Sequence, residues 1–210
     1  SYGMAGQRCL GADNILIVGD GYEKFRDAFL EASAKMKMGY GLDEEIELGP
    51  LVSQRGKQNV LDFIEKGIEE GAKLLLDGRN PKVDGCENGF FVGPTIFEDV
   101  DPDMYIARKE SFGPITNLIR VKDLDEALEL INTKDDYGHS ACIFTKDGRV
   151  ARKFTKQADV GNIGINVAVP QPYAFFPLGS KNASAQGCAK SRIDSMRLFL
   201  DQKTVTDRWV

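Results

Sequence analysis

A chain of 210 residues with 42% hydrophobic and 28% charged side chains can bury one substantial core, which excludes a disordered segment and leaves little room for two full domains. Its net charge of -5 argues against the basic face that tracking a nucleic-acid backbone requires, so no nucleic-acid partner is expected. Cys9, Cys86, Cys142 and Cys188 are scattered without a Cys-x-x-Cys pair, so neither a metal site nor a disulfide framework is suggested and a reducing compartment fits; no apolar run approaches the ~20 residues that cross a bilayer, so no membrane partner is expected.

The first segment with chemical content is Gly3-Met4-Ala5-Gly6-Gln7-Arg8-Cys9, with the thiol of Cys9 as candidate nucleophile. A free thiol is only a few per cent ionised at neutral pH, so reactive cysteines need a polarising setting, and Arg8 supplies positive charge beside it. Glycines at 3 and 6 let the backbone bend tightly and present N–H groups to an anion. The competing reading makes Cys9 a small apolar residue ending a loop.

Asn14-Ile15-Leu16-Ile17-Val18, closed by Gly19, reads as a strand buried on both faces. Tyr22, Phe25, Phe29, Ala32 and Met36 recur at steps of three and four and predict an amphipathic helix stopped near Gly39 and Gly41. Residues 41–50 read as a loop, after which Ser53 can cap a helix with Val60, Phe63, Ile64 and Ile68 on its inner face, ended by Gly71. Residues 73–76 predict a strand, 77–89 an exposed excursion, and 90–97 extended structure broken at Gly93-Pro94. A strand over 115–121 and a helix from Asp123 follow, then a strand at 141–144, a helix at 147–158 and a strand at 161–167. The basic residues Arg149, Arg152 and Lys153 read as one solvated face of that helix. Alternation of strand and helix predicts an α/β fold with a doubly wound, mostly parallel sheet and right-handed crossovers. The Pro- and aromatic-rich stretch 168–187 has no such pattern, and a long irregular stretch inside a compact domain is usually functional. Residues 190–200 predict a helix and 200–210 a last edge strand, whose position at a terminus favours pairing with another chain. His139 is the single histidine and lies in a turn, which disfavours cysteine-protease chemistry.

Several of these segments occur together in a recognisable order. Gly6-Gln7-x-Cys9, Leu48-Gly49-Pro50-Leu51-Val52, Phe91-Val92-Gly93-Pro94-Thr95-Ile96, Glu110-x-Phe112-Gly113-Pro114, Asp123-x-Asp125-Glu126-Ala127, Phe144-Thr145-Lys146-Asp147 and Gly161-x-x-x-x-Asn166 resemble the aldehyde dehydrogenase superfamily nearly end to end. Arg8, the run 159–170 and the stretch into Gly179-Ser180-Lys181 are similar to its CoA-acylating branch, the methylmalonate-semialdehyde dehydrogenases. Pro177-Leu178-Gly179-Ser180 stands where most hydrolytic relatives carry Pro-Phe-Gly-Gly, and the chain lacks the further Phe-rich run usual there in the CoA-acylating branch.

The resemblance implies a catalytic α/β domain over 1–187, a C-terminal helix and oligomerisation strand over 188–210, and an NAD-binding half upstream, since no Gly-x-Gly-x-x-Gly follows a strand here. It implies NAD-dependent oxidation of methylmalonate or malonate semialdehyde, a small-molecule aldehyde, through a thiohemiacetal and then a thioester on Cys9, with CoA as the acyl acceptor. Glu110 would accept hydrogen bonds from the nicotinamide-ribose hydroxyls and Phe112 would pack against the nicotinamide end; the bland alternatives are a surface carboxylate and a core aromatic. Arg8 would clamp the substrate carboxylate bidentately, its alternative being a structural salt bridge. Asn166 would line the substrate tunnel or brace a loop. A homodimer or homotetramer in the cytoplasm, or in the mitochondrial matrix of a eukaryote, is expected, with these 210 residues inactive on their own. A hydrolytic dehydrogenase releasing a free acid and a truncated, partner-binding subunit are the alternatives.

Overall fold

The computed structural model describes residues 1–134, 136–171, 176–185 and 192–209. After a short 3-10 turn at Gly3–Gly6, β1 (Asn14–Val18) leads into α1 (Tyr22–Ala34), and α2 (Gln54–Glu69) into β2 (Lys73–Leu76). Then follow β3 (Thr95–Glu98), α3 (Tyr105–Arg108), β4 (Ile115–Val121), α4 (Leu124–Thr133), β5 (Ser140–Ile143), α5 (Gly148–Gln157), β6 (Asn162–Ile165) and α6 (Arg192–Arg197). No helix among the described residues is long and apolar enough to cross a membrane.

The strands among the described residues form two sheets. One has the order β1-β4-β3-β2, and the other pairs β5 with β6. Pairings β1/β4, β3/β4 and β5/β6 are parallel, with antiparallel β2/β3 at one edge, so the mixed α/β class with a mostly parallel sheet holds. β4 is central: Ile115, Leu118, Ile119 and Val121 are buried together with Thr116 and Asn117. β1 carries the same kind of apolar run yet is an edge strand here. Its Ile17 is buried while Val18 is 49% exposed, which corrects the expectation of burial on both faces.

Local signals set most helix bounds. Ser53 Oγ accepts from the Gly56 N–H at 3.0 Å, capping α2, and Gly71 closes that helix in the left-handed region at φ 93°. Asp123 Oδ1 accepts from the Glu126 N–H and Glu126 Oε2 from the Lys122 N–H, a reciprocal cap for α4; Asp147 caps α5 through the Arg149 N–H. The inner face of α2 is Val60, Phe63, Ile64 and Gly67 rather than Ile68, which is exposed. Gly67 takes that place because a Cβ there would lie 2.9 Å from Ile106 Cδ1, so α2 and α3 close on a missing side chain. α1 is tied to the β2/β3 edge by buried Glu98, which receives Lys73 Nζ at 2.6 Å and Arg26 Nη1 at 3.5 Å.

In the second unit, α4 and α5 pack over β5 and β6 around Leu128, Phe154 and Ala158. Arg149 and Arg152 are exposed and Lys153 pairs with Asp125, as a solvated basic face requires. Of the terminal elements, the helix is shorter than its pattern, and residues 201–209 form no strand within this chain. Thr204-Val205-Thr206 has the alternation of a strand, but alternation becomes a strand only where a neighbouring backbone supplies the ladder, and none of the described strands lies beside it. The expected boundary at 187/188, with Cys188, falls outside the described residues, as do Pro172 and Phe175 of the irregular stretch.

Candidate active site

Cys9 is an exposed free thiol in the loop between the Gly3–Gly6 turn and β1. That turn is unusual: Met4, Ala5 and Gly6 all have positive φ, at 55°, 54° and 72°. Side chains at two of these positions cost energy, and such strain persists only where surrounding structure holds it. Gly6 shows what holds it. A Cβ there would lie 1.9 Å from the Gly113 carbonyl oxygen and 2.9 Å from Pro114 N, so the backbone ahead of Cys9 rests directly on the Gly113-Pro114 backbone.

Side chains complete the attachment. Gln7 Oε1 accepts from the Val52 N–H at 3.0 Å while its amide donates to Met4 O at 3.1 Å, joining the segments 6–9 and 48–52. Asp13 accepts through its carboxylate from the Ser111 N–H at 2.9 Å and through its carbonyl from the Asn117 N–H at 2.8 Å. Asn117, 0% exposed at the centre of β4, donates to Asn14 Oδ1 at 2.9 Å and Ile106 O at 2.7 Å, and Asn14 donates to Ala107 O at 2.7 Å. The exit from the Cys9 loop is thereby fixed to the segment that carries Glu110 and Phe112. Asp13, Asn14 and Asn117 were not singled out from the sequence, although an amide inside an apolar strand is a signal in itself, because buried amides require partners.

Glu110 is exposed, and its two carboxylate oxygens accept no hydrogen bond or ion pair among the described residues. Partial burial raises its carboxyl above the ordinary range, and the charge of His139 opposes that shift. Phe112 is 46% exposed at φ 47°, an uncommon conformation for an aromatic residue, which turns the ring outward; Gly113 follows because a Cβ would strike Val60 at 2.5 Å. The core-aromatic alternative for Phe112 therefore does not describe this ring. An unpartnered carboxylate beside an exposed aromatic face can accept hydrogen bonds from hydroxyl groups and pack against a flat ring.

Arg8 is half-buried and donates from Nη2 to Gln171 Oε1 at 3.2 Å, with no carboxylate partner among the described residues; the salt-bridge alternative has no counter-ion there. Asn166 stands apart. At φ 56° it accepts from the Thr145 N–H at 2.9 Å and donates to Thr145 O at 3.1 Å, so its amide braces the turn after β5 and makes no hydrogen bond to the Cys9 loop. One cleft lies between 39–50 and 85–91 and another between Lys57 and 81–91, both lined partly by Cys86 and Phe91, and none of the four residues Cys9, Arg8, Glu110 and Phe112 lines either.

Comparison with known proteins identifies the family and the fold. The aldehyde dehydrogenase family model matches residues 1–205. Over all 210 residues the chain is 39% identical to malonate-semialdehyde dehydrogenase 2 of Geobacillus kaustophilus and 42% identical to malonate-semialdehyde dehydrogenase 1 of the same organism, covering 43% and 42% of their lengths. Among solved structures, methylmalonate-semialdehyde dehydrogenase from Oceanimonas doudoroffii matches with a TM-score of 0.93 at 35% identity, covering 100% of this chain and 43% of that one. The 1-pyrroline-5-carboxylate dehydrogenase from Thermus with bound NAD matches with a TM-score of 0.87 at 31% identity, covering 99% and 39%. The chain thus spans less than half the length of these relatives.

Proposed function

The chain belongs to the aldehyde dehydrogenase family, and on that premise we propose that it carries the nucleophile and the nicotinamide-ribose contact of an NAD-dependent, CoA-acylating oxidation of methylmalonate or malonate semialdehyde. The observation that supports this most directly is the seating of the Gly6 backbone on Gly113, which couples the exposed Cys9 loop to the turn bearing Glu110 and Phe112.

In this reading the Cys9 thiolate attacks the aldehyde carbon, forming a C–S bond and an oxyanion that accepts from the Cys9 backbone N–H. Glu110 orients the cofactor by accepting from its ribose hydroxyls, and Phe112 shields one side of the reacting carbon from water. Bound there, NAD supplies the hydride acceptor that leaves a thioester on Cys9. The CoA thiolate then adds to the thioester carbonyl and expels the Cys9 thiolate. Arg8 holds the carboxylate of the semialdehyde, releasing Gln171 to do so, until the bond to that carboxyl group breaks to release carbon dioxide and the carbanion left beside the thioester carbonyl takes up a proton from water. Relatives named as malonate-semialdehyde dehydrogenases at 39% and 42% identity favour a dicarboxylic semialdehyde over a simple aldehyde. Residues 201–209, which are exposed, would pair with another copy in a homodimer or homotetramer.

Product analysis tests the reading on the full polypeptide that carries this chain. With NAD, CoA and the semialdehyde, propionyl-CoA or acetyl-CoA is expected, whereas free acid without acyl-CoA would replace the CoA-acylating reading with the hydrolytic one. Cys9→Ser is expected to lower kcat by roughly 10⁴-fold with an unchanged unfolding midpoint. Equal iodoacetamide reactivity at Cys9 and Cys86 would instead favour a partner-binding subunit.

A further inference from the structure

Among the described residues, the side-chain hydrogen bond that reaches Arg8 comes from Gln171, in the segment that follows β6. Three contacts place that residue. Gly164 of β6 leaves room for the chain to fold back, since a Cβ there would fall 2.4 Å from Val167 O and 3.3 Å from Pro170 Cβ. Cys142 Sγ of β5 donates to Ala168 O at 3.2 Å, and partial burial pushes the Cys142 thiol up, which keeps it protonated as a donor. The Gln171 N–H then donates to Val169 O at 2.8 Å across Pro170, a three-residue turn that brings the Gln171 side chain to the Cys9 loop.

Arg8 is held from its own side as well. Its carbonyl accepts from the Gly11 N–H at 2.9 Å, and Nη1 lies over Gly3, where an added Cβ would come 3.5 Å away. Nη2 donates to Gln171 Oε1 at 3.2 Å. A guanidinium has five donors and no acceptor, so the amide must present its oxygen to it. An amide oxygen satisfies that N–H without cancelling the charge, so Arg8 is held in place and keeps its attraction for an anion. The nitrogen that Gln171 occupies is also one that a guanidinium uses to grip a carboxylate by two parallel bonds.

Resting on the reading of Arg8 as the clamp for the semialdehyde carboxylate, we propose that Gln171 is a specificity-determining residue: its amide oxygen is a neutral placeholder on Arg8 Nη2 that a carboxylate-bearing aldehyde displaces and an uncharged aldehyde does not. The exchange is favourable because a hydrogen bond between two ions replaces one between an ion and a neutral acceptor. An aldehyde ending in a methyl group offers no such exchange and leaves the Arg8–Gln171 bond standing. A carboxylate at position 171 would instead form an ion pair with Arg8 that every incoming substrate carboxylate would have to break, while adding a like charge beside it.

The experiment uses the full polypeptide that carries this chain and compares malonate semialdehyde with propanal, which has a methyl group where the semialdehyde has its carboxylate. The quantity read is the ratio of their kcat/KM values. Changes in it are expected in KM for the semialdehyde, because a grip on the carboxylate is common to the ground and transition states. Gln171→Glu is expected to lower the ratio roughly fivefold, the order of an exposed ion pair, and the loss should shrink as salt is raised. Gln171→Met removes the acceptor without adding charge, so nothing has to be displaced, and the ratio is expected to rise about threefold, the order of one exposed hydrogen bond. A ratio unmoved by Gln171→Glu, or lowered by Gln171→Met, overturns the proposal; should Gln171→Glu fail to fold, Gln171→Met carries the test. Arg8→Gln separates the two levels of inference. If it leaves the ratio unchanged, the reading of Arg8 as the clamp falls; if it lowers the ratio while neither Gln171 variant moves it, only the present proposal falls.

Discussion

The body built on β1, β4, β3 and β2 encloses Ile64, Ile96, Phe97, Ile106 and Leu118 almost completely, whereas the β5–β6 unit rests on Leu128, Phe154 and Ala158 with half-buried neighbours. The smaller unit makes up for its thin apolar core with polar ties. Asn162 exchanges two hydrogen bonds with Gly179, and Gly161 lies so close to the Gly179-Ser180 backbone that a Cβ would fall 2.2 Å from Ser180 N. The Cys9 loop, Glu110 and Phe112 are attached to the large body, while His139 and Asn166 belong to the small unit. Local opening costs least where apolar contacts are few, so Cys9 sits on the stiffer region, whereas His139 and Asn166 sit on the more readily opened one.

Core truncation should break this contrast most strongly. Phe97→Ala, in the central layer of the body, is expected to cost about 4 kcal/mol in urea unfolding with an undiminished denaturant slope, since the whole body loses its core at once. Phe154→Ala should cost about 3 kcal/mol with a reduced slope, because the small unit can loosen separately; identical slopes for the two variants would refute the distinction. Glycine substitution sharpens the comparison at the next level. Gly6→Ala meets the Gly113 carbonyl at positive φ and should cost about 3 kcal/mol, while Gly161→Ala meets the Gly179-Ser180 backbone without the added strain of a positive φ and should cost about 2 kcal/mol.

Helix caps give a smaller effect. Asp123→Ala removes the acceptor for the Glu126 N–H and should cost about 1 kcal/mol, with a similar loss for Asp147→Ala, both read as shifts in the urea midpoint. The smallest expected effect has the opposite sign. Partial burial raises the Glu110 carboxyl, so the folded state holds that proton more tightly than the unfolded one; the resulting stabilisation is present below the ordinary carboxylate range and is lost as pH rises through the raised value. Glu110→Gln should therefore raise the thermal midpoint slightly at neutral pH, and the difference should vanish near about pH 4. A site residue that costs stability at working pH is the pattern expected of a group kept for binding.

The sequence by itself determined the elements whose signals are local. Periodicity and caps located α1, α2, α4 and α5, and short branched runs located β1, β4 and β6, because both signals act over a few residues. The motif order pointed to Cys9, Glu110 and Phe112 as one set. Tertiary structure alone decided that β1 is an edge strand, that Gly67 rather than Ile68 faces α3, and that residues 201–209 have no ladder within this chain. It also decided how the site is assembled. The seating of Gly6 on Gly113, the Asp13 bonds to Ser111 and Asn117, and the ring of His139 locked by Ser180 join residues far apart in the chain. Such pairings leave no periodic trace, since each depends on where the packed core brings two backbones together rather than on what flanks either one.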